Sequence, residues 1–219
     1  MKIIAVVPAW NEAQTIAQVV GQLKPLLDEV VVVDDASADD TARLAAAAGA
    51  VVLRHLLNRG QGAALRTGTR WAFNQDADIV VHFDADGQFS VDDLPALLAP
   101  LKAGQADIVF GSRFLRDNSL PPLKRHLIMP LARLINRWLF GIRLTDPQNG
   151  LRAFTHEAFT KIIWQEDGMA HCSEILLLAH RRSLRLKEVP MTVIYHHYGQ
   201  KLSGGIKILK DLVVNKLNR

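Results

Sequence analysis

In the stretch HFDADGQ, residues 82–88, two carboxylates stand one residue apart just after the apolar run IVV. Side chains alternate along an extended chain, so Asp84 and Asp86 project the same way across the small Ala85, and Gln88 continues that face. Such a pair can hold one hard cation. Mg²⁺ or Mn²⁺ takes one or two protein carboxylates and fills its shell with water and substrate phosphate oxygens, which suits a diphosphate ligand. The competing reading is local: Asp-Gly is a turn pair, and SVDD at 90–93 predicts a capping box for a following helix, to which Asp92 and Asp93 are assigned.

The other polar residues fall at equivalent places. Asn11 and Glu12 follow the first apolar run, Asp34 and Asp35 end the second, and Asn58 and Arg59 follow the third. The runs IIAVVPA, EVVVVDD, AVVLRH, DIVVHFDAD and ADIVFGSR alternate with Ala/Leu-rich segments. Strands apolar on both faces, each followed by an amphipathic helix, predict a mostly parallel sheet covered by helices. Residues 1 to 113 therefore read as a doubly wound, Rossmann-like α/β unit, in which ligands bind outside the carboxyl ends of the strands. After Arg113 the rhythm breaks into FLRDNSLPPLKRHLIMPLARLINRWLFG, TDPQNGLRAF, a helix-like CSEILLLAHRRS and a basic amphipathic end. This second half, 114–219, holds too few strands for a separate domain, so one domain over 1–219 is expected.

Composition narrows the class. A chain of 219 residues that is 49% hydrophobic can bury a substantial core, and a net charge of +4 does not demand nucleic acid. The single cysteine, Cys172, rules out an intrachain disulfide and a cysteine-based zinc site; it reads as a small core residue in a reducing compartment. No stretch reaches the roughly 18 apolar residues of a spanning helix. A cytoplasmic protein is expected, free or peripheral on the inner face of a membrane.

Two nucleotide-site readings fail on spacing. In NRGQGAALRTG the third small position of a dinucleotide fingerprint falls on Leu65, and the motif follows the third strand instead of the first. A phosphoacceptor receiver domain also carries an acidic pair like Asp34 and Asp35, but it needs a lysine after its fifth strand, where this chain has Arg113. No GxxxxGK[ST] phosphate loop occurs.

The motifs VVPAWNE, VVVDDASADDT, LNRGQGAA, HFDADGQ, FGSRF and DPQNGLRAF, in this order and at this spacing, resemble the family-two inverting glycosyltransferases of GT-A fold, in particular the dolichyl- and polyprenyl-phosphate enzymes. The resemblance covers nearly the whole chain. It implies a nucleoside-diphosphate sugar, GDP-mannose or a UDP-hexose, as donor. Pro8, Ala9, Asn11, Glu12, Asp34 and Asp35 match its nucleoside side; Asp84, Asp86 and Gln88 match its Mg²⁺ or Mn²⁺ site, with Ala85 between. Arg113 and Arg152 match basic positions near an acceptor phosphate, and an arginine fork suits a phosphate. Lipid-phosphate relatives carry RxxGxSK near their end. Here HHYGQKLS offers only Lys201 as a substitute over the nucleotide, and His196 replaces the arginine.

The acceptor decides the mechanism. A sugar hydroxyl needs a general base, for which Asp146 is the candidate, whereas a phosphate monoester is already ionised near neutral pH and attacks directly. A polyprenyl phosphate, dolichyl or undecaprenyl, is the expected acceptor. A saccharide acceptor and a silent nucleotide-binding scaffold are the alternatives. Asp146 before Pro147 also reads as a turn residue. Glu174 matches an acidic position of relatives or caps a helix. His82 and His171 read as packed structure. Leu127, Leu131, Leu134, Ile135, Trp138 and Leu139 form a helical stripe with Lys124, Arg125, Arg133 and Arg137 nearby. That stripe suits either a membrane interface or the sheet.

Overall fold

A computed structural model describes residues 1–115 and 144–194. The amphipathic stripe at 127–139, His196 and Lys201 lie outside the described residues.

Strands β1 (Ile3–Ala9), β2 (Glu29–Asp34), β3 (Val51–Arg54), β4 (Ile79–His82), β5 (Ile108–Ser112), β6 (Arg152–Thr155) and β7 (Leu186–Pro190) form one sheet in the order β3-β2-β1-β4-β6-β5-β7. All pairs are parallel except those of β6, which runs antiparallel between β4 and β5. Helices α1 (Ile16–Leu23), α2 (Thr41–Ala47), α3 (Gln61–Asn74), α4 (Leu94–Lys102), α5 (His156–Lys161) and α6 (His171–Arg181) flank it.

The unbroken apolar strands have a direct consequence: alternate residues serve two cores. Ala5, Val7, Val30, Val32, Ile79 and Val81 pack with Ile16, Val20 and Leu23 of α1 and Leu94 and Leu97 of α4. Ile4, Val6, Val31, Val33 and Val80 face the other way, onto Ala64, Leu65 and Phe73 of α3 and Ile175 and Leu176 of α6. Burying both faces removes the polar alternation of a half-exposed sheet, which is why these strands read as continuous hydrophobic runs.

β6 and β7, from the second half of the chain, lie in the same sheet. RAFT carries no strand signal of its own, yet β6 pairs His82 with Arg152 and Phe110 with Arg152, so a buried arginine sits between two hydrophobic strands. The expected capping box is also only partly built. Ser90 Oγ accepts from Asp92 N, as a cap does, but Asp93 turns away and accepts from Thr192 N at 2.6 Å, tying the start of α4 to the chain after β7.

Candidate functional site

Register puts the polar residues on one rim. Ala9 pairs with Asp34 and Asp34 with Arg54, so β1, β2 and β3 end level; beside them Phe83 N donates to Val6 O as the chain leaves β4. A cavity of about 810 Å³ opens over this rim, within the range of small-molecule sites. Pro8, Ala9, Glu12, Asp35, Asp84, Ala85, Asp86, Gln88 and Arg113 line it.

Four sequence-predicted residues have other surroundings. Asp34 is fully buried: it accepts from Ser37 N at 3.1 Å, and Arg54 Nε lies 3.0 Å from its Oδ2 as an ion pair without hydrogen-bond alignment. Asn11 is exposed, and its Oδ1 accepts from Ala38 N. Arg152 has no exposed surface; its Nη2 donates to Cys172 Sγ at 3.0 Å and its Nε to Gly150 O, while Nη1 has no hydrogen-bond partner among the described residues. A guanidinium sealed in the sheet does not reach the cavity, so direct contact with an acceptor is not the geometry found. Asp146 is 2% exposed, and both its oxygens are taken. Arg113 Nε donates to Oδ2 at 2.7 Å and Nη2 to Oδ1 at 2.8 Å, and Asn149 Nδ2 also donates to Oδ2.

Asp35 organises the loop that opens α3. Its carboxylate accepts from Arg59 N, from Gly60 N at 2.6 Å and from His55 Nδ1 at 2.6 Å, fixing the chain that opens α3. Gly60 has φ 102°, and a Cβ there would lie 2.6 Å from Asp167 O; only glycine fits both demands. The loop at 164–168 closes on the same helix start. Trp164 Nε1 donates to Gly62 O, Ala63 N donates to Asp167 O, and Arg66 pairs with Asp167. Met169 and Cys172 thereby reach the cavity wall.

Asp84 and Asp86 are half-buried and both line the cavity. Burial, then the charge of Asp86, pushes the Asp84 carboxyl up to about 7. Gln61 Nε2 donates to Asp84 Oδ1 at 2.9 Å, and Gly150 makes room for the other oxygen, since a Cβ there would overlap Oδ2. Asp86 Oδ1 accepts from Gln88 N, the bond that the turn reading implies. Two neighbouring carboxylates, of which Asp84 has a raised proton affinity, fit a divalent cation. Among the described residues no group of three or more His, Cys, Asp or Glu could hold a metal, so such a cation would keep positions for water and phosphate oxygens. Burial raises Glu12 as well, and the charge of Asp86 adds to it.

Cys172 is buried as expected but is more than filler. Burial pushes its thiol up, yet Arg152 and His171 outweigh this and bring it to about 6. His171 Nδ1 donates to Gly168 O, leaving Nε2 toward Cys172 Sγ at 3.5 Å. His82 is packed structure: burial lowers its pKa well below the ordinary value, so it is neutral, and Nε2 meets Thr69 Oγ1. Glu174 accepts from the amides of Gln165 and Glu166, a loop-capping role. Gln61, Trp10, Asn149, Gly150 and Cys172 were not singled out as cavity residues from sequence. The Gly-rich strand-to-helix turn pointed to Gln61; nothing in sequence pointed to Cys172.

The twisted, mostly parallel sheet with a cavity over strand-end carboxylates is the GT-A glycosyltransferase fold. The chain belongs to glycosyl transferase family 2, whose model matches residues 4–163. It is 30% identical to the UDP-N-acetylglucosamine–dolichyl-phosphate N-acetylglucosaminyltransferase of Methanococcus voltae, over 99% of this chain and 97% of that one. It is 31% identical to the undecaprenyl-phosphate mannosyltransferase of Micrococcus luteus, over 98% and 92%. Among solved structures, glucosyl-3-phosphoglycerate synthase from Mycobacterium tuberculosis, in complex with Mg²⁺ and UDP, superposes with a TM-score of 0.75 at 24% identity, over 99% of this chain and 78% of that one. No helix of the described residues is long and apolar enough to cross a membrane.

Proposed function

We propose that this glycosyltransferase moves a hexosyl group, with inversion, from a nucleoside-diphosphate sugar to a polyprenyl phosphate, in a divalent-cation-dependent reaction. The observation that carries the acceptor class is the commitment of Asp146. A general base must reach the proton it removes, and this carboxylate is buried with both oxygens engaged by Arg113 and Asn149. A phosphate acceptor needs no such base. The relatives that share nearly the full length of the chain and act on dolichyl or undecaprenyl phosphate support the same reading.

In this reading residues 1–113 form the donor half, and Pro8, Ala9, Glu12 and Asp35 receive the nucleoside; Asp34 shapes that end from beneath, and Asn11 holds the 37–38 loop beside it. Asp84 and Asp86, with Gln88, hold Mg²⁺ or Mn²⁺, whose chemistry when bound is Lewis-acid stabilisation of the departing diphosphate. Arg113 pairs with the acceptor phosphate and aims its oxygen at the anomeric carbon, while Asp146 fixes the guanidinium. Arg152 acts from below, as a buried cation beside Cys172 that lowers the charge cost at Asp84. Lys201 is assigned to the nucleotide diphosphate, and the amphipathic stripe to peripheral membrane contact.

The test is a panel of radiolabelled UDP- and GDP-sugars with polyprenyl phosphate, phosphoglyceric acid or a saccharide as acceptor, with Mn²⁺ or with chelator. Label entering the organic phase only with polyprenyl phosphate and cation supports the proposal. Label in a water-soluble product alone overturns it.

A further inference from the structure

We infer that Glu188 is a positioning residue for the acceptor arginine: its carboxylate fixes the 145–146 turn, the turn fixes Asp146, and Asp146 fixes Arg113. The inference rests on the assignment of Arg113 to the acceptor phosphate. Glu188 lies in β7 opposite Phe110, and Pro190 opposite Ser112, so its strand runs beside the one from which Arg113 emerges. Both its oxygens accept from Thr145 N at 2.7 Å, Oε1 accepts from Asp146 N at 2.8 Å, and Thr145 Oγ1 donates to Oε1 at 3.1 Å. Three donors from two consecutive residues converge on one side chain.

A segment outside regular structure gets its backbone bonds from side chains or water, and here one carboxylate supplies them. The other face of the turn is held by Asn149, whose N donates to Asp146 O and whose Oδ1 accepts from Leu151 N. Asp146 is thus clamped from both sides. Its Oδ2 receives Arg113 N at 3.2 Å as well as Nε, so the carboxylate fixes the arginine's main chain and side chain together. The Arg113 side chain is 41% exposed at the cavity while Asp146 is buried, so a half-exposed cation is aimed by a sealed anion. A two-oxygen clamp on the Nε side holds the plane of the fork, which an isolated surface arginine would have to give up entropy to adopt.

Glu188→Gln keeps the shape but turns one acceptor into an NH₂ group facing amide donors. The Arg113 Nε–H resonance, identified by its loss in Arg113→Lys, is expected to exchange slowly in the wild-type protein and on the order of tenfold faster in Glu188→Gln. In transfer assays the acceptor KM should rise about tenfold with donor affinity unchanged, and the substitution should add nothing in an Arg113→Lys background, as coupled residues require. Should Glu188→Gln not fold, Thr145→Val, which deletes the hydroxyl bonds to Glu188 and to Ser112 Oγ and leaves both backbone amides on Glu188, is expected to show the same split at smaller size. An unchanged Arg113 signal, equal losses for donor and acceptor, or additive losses in the double variant overturn the inference. If the wild-type protein transfers nothing to polyprenyl phosphate, the proposed function falls, and the Arg113 signal alone still decides the role of Glu188.

Discussion

Gly150 stands where any side chain would collide with Asp84: a Cβ at that position would overlap Oδ2 and lie 3.0 Å from Cγ. The glycine of the DPQNG motif thus belongs to the carboxylate pair, although it is 66 positions away in sequence. Gly150→Ala is expected to displace Asp84, with a stability cost of about 1–3 kcal/mol from overpacking. Mn²⁺-dependent affinity for nucleoside diphosphate should fall on the order of tenfold or more, as for other substitutions that disturb a ligand's support. Urea denaturation and calorimetry measure the two effects; an unchanged affinity would place Asp84 outside the metal site.

Asp86→Asn is expected to make nucleoside diphosphate binding indifferent to Mn²⁺ without unfolding the protein. The charge of Asp86 is, after burial, the main reason that Asp84 holds its proton. Removing it relieves repulsion in the metal-free state, so the melting temperature without cation should hold or rise. Calorimetry with and without Mn²⁺, beside thermal unfolding in chelator, separates this outcome from simple damage.

Cation affinity should depend on pH in a window set by Asp84. Its folded pKa, about 7, lies above the ordinary carboxylate value of 3.8. Its contribution to metal-free stability is therefore complete below about pH 4 and is lost as pH rises through about 7. A cation needs the deprotonated form and offsets that loss. The rise in melting temperature produced by Mn²⁺ should accordingly be small near pH 5.5 and large near pH 8. Equal shifts at both values would show that Asp84 ionises like an exposed carboxylate.

Much of this arrangement is legible in sequence, because parallel strands buried on both faces leave continuous apolar runs and their carboxyl ends gather the ligand-facing residues. Asp84, Asp86, Gln88 and Asp35 reach the cavity for that reason. What sequence could not supply is what depends on long-range packing. RAFT becomes a strand only because β4 and β5 leave a slot between them, and that slot seals Arg152 in the sheet instead of exposing it to an acceptor. Cys172 looks like any small apolar residue at the start of an amphipathic helix. Its cavity position and shifted thiol come from Arg152 and His171, the former 20 residues distant in the chain. The pairing of Asp146 with Arg113 has no local signature either, since it joins the end of β5 to a turn 33 residues further along the chain.

The measurement that reaches the central claim most directly is transfer from labelled donor to polyprenyl phosphate and to the corresponding polyprenol, by the wild-type protein and by Asp146→Asn. If the nucleophile is a phosphate oxygen, wild-type protein glycosylates the phosphate and not the alcohol. Asp146→Asn then retains appreciable transfer, with a raised acceptor KM because Arg113 has lost its ionised partner. If Asp146 is a base, its loss should reduce the rate on the order of a hundredfold or more. A folded, donor-binding Asp146→Asn protein with no transfer to polyprenyl phosphate, beside a wild-type protein that glycosylates the alcohol or a saccharide, would contradict the account.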